Sequence, residues 1–217
     1  MEICRPYVIF SAAMSLDGKI ATCTGDSKLS SKKDKIRVHK LRSKVDAILV
    51  GRNTVKVDDP LLTVRGTKGK NPIRVILDSK ATISTDSRIL RTSSKVPTII
   101  IVTKKAKKKN LQKLKKFPVM IQVFGNDKIN IKKLLKFLKQ KRIKNILVEG
   151  GGITNWAFVK HNIIDEAIIT ITPYILGGSS SPTLVDGNGF SMITKSPKLK
   201  LKKVTKIKNE IVLYYKN

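Results

Sequence analysis

Cysteine, histidine and long apolar runs are scarce in this chain, and each scarcity excludes a class of protein. Of 217 residues only two are cysteines and two are histidines, and Cys4 and Cys23 stand apart without a C-x-x-C spacing. A zinc or other metal site is therefore not expected. No apolar run approaches the roughly 18 residues of a membrane span, and the first residues lack a signal-peptide profile. We expect a cytoplasmic protein that does not contact a membrane.

Acidic residues are also few, since 15 stand against 45 lysines and arginines, which gives a formal net charge of +30. A charge of this size suits nucleic-acid binding through the release of counterions. Lysine is nevertheless spread over most surface-like segments, aromatic residues make up only 5%, and no nucleic-acid-binding module is recognisable. The sequence predicts no specific nucleic-acid partner, although its field would attract anionic small molecules.

Strands and helices alternate over roughly the first three quarters of the chain, which requires crossover connections and a largely parallel sheet. One helix is capped by Ser30 or Ser31 and runs to about Lys44. The last three strands follow without helices, and Lys208-Asn209 suits a hairpin turn between two of them. We expect one α/β domain, residues 1–217, with an antiparallel C-terminal edge. The predicted strands are 7–15, 46–51, 73–77, 98–102, 119–123, 144–148, 166–172, 199–206 and 211–215.

Unusual turns follow four of these strands. Glu149 and three glycines, residues 150–152, lie between an apolar strand and a predicted helix. Glycines permit positive φ and the close approach of another group, and the helix start offers free N–H groups to an anion. Any one turn alone would be interpreted as structural, but the carboxyl ends of parallel strands are where ligands bind. Together they predict a composite site, built also from residues 14–27, 51–65 and 77–80.

The chain resembles the riboflavin-biosynthesis pyrimidine reductases, in particular the free-standing archaeal type. The resemblance rests on segments in the same order over nearly the whole chain: Ser15–Ala21, Ile36–Arg42, Asp46–Gly51 with Thr54-Val55 and Asp58–Pro60, Leu62–Arg65, and Val148–Gly151. It implies a dihydrofolate-reductase-like three-layer fold, a homodimer, and NADPH as cofactor with NADH as the alternative. The implied substrate is 2,5-diamino-6-ribosylamino-4(3H)-pyrimidinone 5′-phosphate. The H-x-E…P-C-x-x-C set of the bacterial deaminase half is absent from this sequence.

The resemblance also assigns residues to the cofactor and to the substrate. The implied cofactor positions are Ala13, Leu29, Thr54, Asp58, Ser79, Gly150, Gly151, Gly152, Ile153 and Thr154. The implied substrate positions are Ser27, Arg42, Leu62, Arg65 and Glu149. Bacterial members commonly carry tryptophan at the position of Leu29, so contact with the nicotinamide is expected to differ here.

The expected reaction opens the ribose ring at C1′ and delivers hydride to the resulting imine. Glu149 is the first candidate for electrostatic or acid–base work, and Lys19 and Asp17 are second choices. The guanidinium forks of Arg42 and Arg65 suit the 5′-phosphate. Two other substrates stay open, the deaminated pyrimidine and dihydrofolate.

Ser79 and His39 are two further residues for which the sequence suggests a role. Ser79, with Lys80, suits the 2′-phosphate of NADPH. His39, in a basic helix, is interpreted as a surface or packing residue.

Overall fold

The structure is a computed structural model that describes residues 5–217, so Cys4 lies outside the described residues. It contains nine strands, six α-helices and a 3₁₀ turn at Ile193–Lys195 within that range. The strands are β1 Tyr7–Met14, β2 Ala47–Gly51, β3 Ile73–Leu77, β4 Thr98–Val102, β5 Met120–Val123, β6 Asn145–Val148, β7 Glu166–Ile171, β8 Lys200–Ile207 and β9 Glu210–Lys216. The helices are α1 Lys32–Arg42, α2 Arg52–Asp58, α3 Arg88–Arg91, α4 Lys108–Leu114, α5 Ile131–Gln140 and α6 Gly152–Val159.

The strands form one mixed sheet in the order β5-β4-β3-β2-β6-β1-β7-β9-β8. β2, β3, β4 and β5 pair in parallel in sequence order, and β1 pairs in parallel with β7. The two C-terminal strands are antiparallel, β9 to β7 and β8 to β9. The mostly parallel sheet with an antiparallel C-terminal edge, expected from the order of elements, is confirmed.

Burial along the strands explains why their apolar runs were easy to recognise. Every residue of β2 and of β4 is buried, as in parallel sheets that are covered on both faces. The edge strand β8 is mostly exposed instead, which matches its lysine-rich sequence. Lysine on an edge strand hinders the edge-to-edge pairing of strands from two chains.

Two helices illustrate how local sequence sets the elements. α5 buries Ile131, Leu134, Leu135 and Leu138 along one face, with the spacing of an amphipathic helix. Ser31 precedes α1, and its Oγ accepts a hydrogen bond of 3.2 Å from the backbone N–H of Asp34. Ser31 is therefore the cap, as one of the two predicted alternatives required. The four-residue helix α3 and the 3₁₀ turn were not predicted.

By its internal contacts the described chain divides into two compact units, and both are discontinuous in sequence. The first unit contains His39–Ile146 together with residues 5 and 6. The second unit contains Tyr7–Val38 and Leu147–Asn217. The single domain expected from the uniform composition stays a prediction.

Candidate active site

In the first unit, two predicted substrate residues meet at one threonine. Arg42 ends α1, and its Nη1 donates to the backbone carbonyl of Thr63 at 3.3 Å. Arg65 lies in the loop that leads to β3, and its Nη1 donates to the Thr63 Oγ1 at 2.7 Å. The structure therefore brings together two guanidinium groups that are separated by more than twenty residues in the sequence.

Positive charge is concentrated around Arg65. Burial lowers the pKa of its guanidinium, and the charges of Arg42 and Arg88 lower it further. An arginine remains protonated under such a shift, so like charges are held near one another at a cost in Coulomb energy. A bound anion would relieve that repulsion.

His39 belongs to the same cluster, which its interpretation as a surface or packing residue did not anticipate. Its Nδ1 lies 3.0 Å from the Thr63 carbonyl oxygen and 3.2 Å from the backbone nitrogen of Arg65. His39 and Arg42 are three apart on α1, a spacing that places both on one face of a helix. That spacing was the only signal in the sequence that could have linked them.

The loop before this cluster is held by a buried arginine. Arg74, in β3, is fully buried, and its Nη1 donates to the Leu61 carbonyl at 3.3 Å. The next residue, Leu62, has a positive φ of 50° and is only 1% exposed. Leu62 was a predicted substrate residue, but in this structure almost none of its surface is available to a ligand.

Two predicted cofactor residues of the first unit lie on α2. Thr54 and Asp58 are one helical turn apart in α2, as predicted, and so share a face. Thr54 is half-buried and Asp58 is exposed. Both are thus within reach of a ligand on that side of the helix.

The third cofactor candidate of this unit, Ser79, lies in a rigid turn. The buried carboxylate of Asp78 accepts from the N–H groups of Thr82 and Ile83 and so organises the turn. The Ser79 carbonyl accepts from the N–H and the Oγ1 of Thr103 at 3.0 and 2.8 Å. The Ser79 side chain is half-buried, and its hydroxyl makes no hydrogen bond to another residue of 5–217, so it is available to a ligand.

In the second unit, the turn after β1 is tied to a distant loop. Asp17 accepts hydrogen bonds from Ser15 Oγ at 2.6 Å, from Gly177 N at 2.7 Å and from Leu176 N at 3.1 Å. These bonds, that of Ser15 first, lower the pKa of the Asp17 carboxyl to about 2. The Nζ of Lys19 donates to the Ser181 carbonyl at 3.3 Å. Both second-choice catalytic residues therefore have structural contacts.

Three more predicted residues are spread over this unit with different exposure. Ala13 is half-buried on β1, opposite Thr170 of β7. Ser27 is exposed in the following loop, whereas Leu29 is only 7% exposed. Leu29 thus resembles Leu62 in offering a ligand little surface.

The glycine turn follows β6 and begins α6. Glu149, at the end of the strand, is half-buried. None of the three glycines has a positive φ, so the turn does not use the backbone freedom that glycine permits. Close approach explains two of them, because a Cβ on Gly152 would lie 2.1 Å from Asp186 Oδ2, and one on Gly150 would lie 2.6 Å from the Thr154 side chain. The group that approaches Gly152 is thus a carboxylate of the protein itself.

The start of α6 retains the properties of an anion site in other respects. Gly151 is its N-cap and supplies no side-chain hydrogen bond, so the first N–H groups of the helix lack a side-chain cap. Ile153 is 66% exposed and Thr154 is half-buried. All five predicted cofactor residues from 150 to 154 therefore lie on this one turn.

Two features are absent from the described residues, a metal-binding cluster and a membrane-spanning helix. Residues 5–217 contain no group of three or more His, Cys, Asp or Glu side chains that could hold a metal ion. Over the same range, no helix combines the length and the apolar character needed to cross a membrane.

Comparison with solved structures defines the class of protein first. The structure matches Acinetobacter baumannii RibD with a TM-score of 0.85 and 27% sequence identity, over 100% of this chain and 59% of that chain. It matches the riboflavin biosynthesis reductase Rib7 of Saccharomyces cerevisia with a TM-score of 0.73 and 26% identity, over 100% and 91% of the two chains. The expected dihydrofolate-reductase-like α/β fold is confirmed by these matches.

Sequence comparison then identifies the family. The family model described as the RibD C-terminal domain matches residues 6–213, and the chain belongs to this family. It is 39% identical over 214 residues to the 2,5-diamino-6-ribosylamino-4(3H)-pyrimidinone 5′-phosphate reductase of Methanothermobacter thermautotrophicus, covering 97% of this chain and 98% of that protein. It is 41% identical over 203 residues to the Aquifex aeolicus protein of the same name, covering 91% and 90%.

Proposed function

We propose that this protein is an NADPH-dependent reductase of 2,5-diamino-6-ribosylamino-4(3H)-pyrimidinone 5′-phosphate, acting in riboflavin biosynthesis in the cytoplasm. The observation that carries the proposal is the convergence of Arg42 and Arg65 on Thr63. It occurs in a chain that matches reductases of that name over nearly its full length. A phosphorylated sugar is the kind of ligand that such a pair of forks binds.

The 5′-phosphate binds to Arg42 and Arg65 in this proposal. A guanidinium presents parallel N–H groups that match two oxygens of a phosphate. Burial and then the charges of Arg42 and Arg88 lower the pKa of Arg65. A phosphate dianion between or beside the two guanidinium groups would attract both and offset their mutual repulsion. Removal of the phosphate is therefore expected to weaken substrate binding.

The residues expected around the cofactor have the donors that a dinucleotide requires. When bound, the reduced nicotinamide supplies the hydride. Thr54, Asp58 and Ser79 would hold the cofactor in the first unit, and the available Ser79 hydroxyl beside Lys80 suits a 2′-phosphate. In the second unit, the uncapped start of α6 suits phosphate oxygens. NADH remains the alternative cofactor.

Glu149 acts on the ribose during the reaction. As the C1′–O4′ bond breaks, its electron pair goes to O4′, which takes a proton, and the exocyclic nitrogen forms an iminium with C1′. Hydride at C1′ neutralises this cation and leaves the ribitylamino chain. A carboxylate near C1′ stabilises the cation or handles the proton. Asp17, with a pKa of about 2, is ionised at neutral pH and would act as a carboxylate instead of a proton donor.

The homodimer is part of the same proposal. Leu201 and Val204 on β8 and Ile211 on β9 are between 43% and 53% exposed. Exposed apolar side chains grouped on neighbouring strands favour a second copy of the chain as the partner that covers them. Sedimentation equilibrium would give twice the mass of the chain if the proposal is right.

One assay tests the reaction. NADPH oxidation is followed with the diamino pyrimidine phosphate, its deaminated form and dihydrofolate in parallel, and the product is identified by mass spectrometry. We expect turnover with the diamino substrate and a product heavier by two hydrogens. Glu149→Gln is expected to lower kcat by a factor of about 100 while NADPH binding survives.

Each alternative has a distinct outcome in that assay. Preference for the deaminated pyrimidine would correct the substrate, and activity on dihydrofolate would replace the function. Unchanged turnover of Glu149→Gln would remove Glu149 from the mechanism.

A further inference from the structure

Residues 63–65 include the phosphate candidate Arg65, yet they belong to neither a helix nor a strand. Their backbone polar groups are instead held by side chains. The Thr63 carbonyl faces His39 and Arg42. The N–H of Val64 donates to Asn71 Oδ1 at 2.8 Å, and the N–H of Arg65 points at His39 Nδ1 at 3.2 Å. The position of Arg65 therefore depends on His39 more than on any element of secondary structure.

His39 Nδ1 faces two partners that it cannot satisfy together. With a proton on Nδ1, the imidazole donates to the Thr63 carbonyl, and the Arg65 N–H loses its acceptor. Without that proton, Nδ1 accepts from the Arg65 N–H, and Arg42 alone donates to the Thr63 carbonyl. The presence or absence of a proton on Nδ1 thus determines which of two arrangements the segment that bears Arg65 adopts.

The first arrangement is the one that suits a bound anion. It releases the Arg65 N–H, which can then donate to a phosphate oxygen alongside the guanidinium groups. It also keeps the Thr63 carbonyl, which would otherwise repel the anion, engaged by two donors. His39 in this state orders the segment without needing to touch the phosphate itself.

We propose that His39 is a positioning residue of the phosphate site, and that donation from its Nδ1 to the Thr63 carbonyl sets Arg65 for a phosphate monoester. The inference rests on the proposed function for the identity of the natural ligand. Independently of that identity, the segment 63–65 binds a sugar phosphate, and Nδ1 of His39 holds this segment in the arrangement that binds.

The test compares three variants of His39 that differ in where they place a polar atom. Asparagine puts an amide near the position of Nδ1, glutamine puts it near Nε2, and alanine removes both. Lys40→Ala is the matched control, because Lys40 is the exposed neighbour on α1 and its loss removes one positive charge from the same helix. Affinity for ribose 5-phosphate is measured by titration calorimetry, with ribose as the phosphate-free probe. KM and kcat are measured with the pyrimidine phosphate.

We expect His39→Ala to weaken ribose 5-phosphate binding and to raise KM by about fivefold to tenfold, the effect of losing one hydrogen bond between neutral groups. His39→Asn should recover to within about threefold of the wild type, whereas His39→Gln should not. The value of kcat should stay within about twofold throughout, and Lys40→Ala should resemble the wild type.

Three results would overturn the inference: wild-type affinity for ribose 5-phosphate in His39→Ala, no recovery in His39→Asn, or a wild type that does not bind the sugar phosphate. Failure of the proposed function looks different. In that case the wild type does not reduce the pyrimidine, while the calorimetric series still decides the role of His39.

Discussion

Arg74 shows at the scale of one residue how a charge can be buried without a counter-charge. It is fully buried, and its Nε donates to Thr98 Oγ1 at 3.0 Å. The four Nη hydrogens are directed at Thr92 Oγ1 and at three backbone carbonyls, those of Leu61, Ile89 and Val96. All five N–H groups are thus satisfied by neutral oxygens, as a buried guanidinium requires. Burial lowers the pKa of Arg74 to about 10, so it stays charged at neutral pH.

Replacing Arg74 should therefore destabilise the fold strongly. Arg74→Met removes the guanidinium donors to the carbonyls of Leu61, Ile89 and Val96, although Val96 keeps a bond from Thr98 Oγ1. We expect a loss of about 3 kcal/mol in the free energy of unfolding. Urea denaturation measures it. Arg91→Met is the control, because Arg91 pairs with Asp86 on the surface, where both side chains are mostly exposed, and such pairs contribute little. Equal midpoints for the two variants would contradict the role assigned to Arg74.

The low pKa of Asp17 predicts that the stability of the folded state depends on pH. Its folded pKa of about 2 lies below the ordinary value of 3.8, so the ionised carboxylate stabilises the folded state. That contribution is complete above about pH 4 and is lost as the pH falls towards 2. We expect Asp17→Asn to melt at a lower temperature than the wild type at pH 6, and the difference to shrink between pH 4 and pH 2. A difference that is constant over this range would show that ionisation of Asp17 is irrelevant.

At the scale of elements, the turn between β6 and α6 shows why a glycine can be required without a special φ. The Asp186 carboxylate accepts from the N–H and the Oγ1 of Thr183 at 3.1 and 2.6 Å. This small loop packs directly against Gly152, where a Cβ would lie 2.7 Å from the Thr183 carbonyl as well. The start of α6 and the loop at 183–186 therefore pack tightly against each other.

Gly152→Ala should disturb that packing. We expect a loss of stability of about 1–3 kcal/mol, since an added methyl group in a tight site forces its neighbours to move. The double variant with Asp186→Ala should recover part of the loss, because one of the two clashing groups is gone. A thermal melt of the wild type, the two single variants and the double variant measures the coupling. Strict additivity would show that Asp186 does not set the requirement for glycine.

The elements themselves were largely predictable, and the contacts between them were not. β3 and β4 follow the predicted bounds because their apolar runs are short, continuous and enriched in β-branched residues. α3 was missed because four residues are too few to display a helical period. The contact of Gly152 with Asp186 joins residues more than thirty apart, and no local pattern encodes it. The resemblance named Arg42 and Arg65, whereas their meeting at Thr63 and the part of His39 required the structure.

At the scale of the whole molecule, the charge of +30 and the two discontinuous units are the main features. The chain passes between the units at residues 6–7, 38–39 and 146–147. Each of these crossing points lies within or next to a helix or strand. The boundary between the units therefore has no linker whose composition could be recognised in the sequence. The charge is spread over the surface, and its expected effect is on the approach of anionic ligands.

Salt should therefore act on binding and not on chemistry. Between about 0.05 M and 0.5 M salt the Debye length falls several-fold, so we expect KM for the phosphorylated pyrimidine to rise several-fold. The value of kcat should change little, and a dephosphorylated substrate should show a much weaker dependence. Initial rates at each salt concentration provide the comparison. Identical salt dependence for both substrates would show that the phosphate is not what the positive charge attracts.

Hydride transfer to C1′ of the ribose is the claim on which the proposed function depends most. The most direct measurement uses NADPH that carries deuterium at both C4 positions, the diamino pyrimidine phosphate, and analysis of the product by NMR. One deuterium at C1′ of the ribitylamino chain is the predicted result. A product with deuterium at any other carbon, or oxidation of NADPH without deuterium in the product, would contradict it.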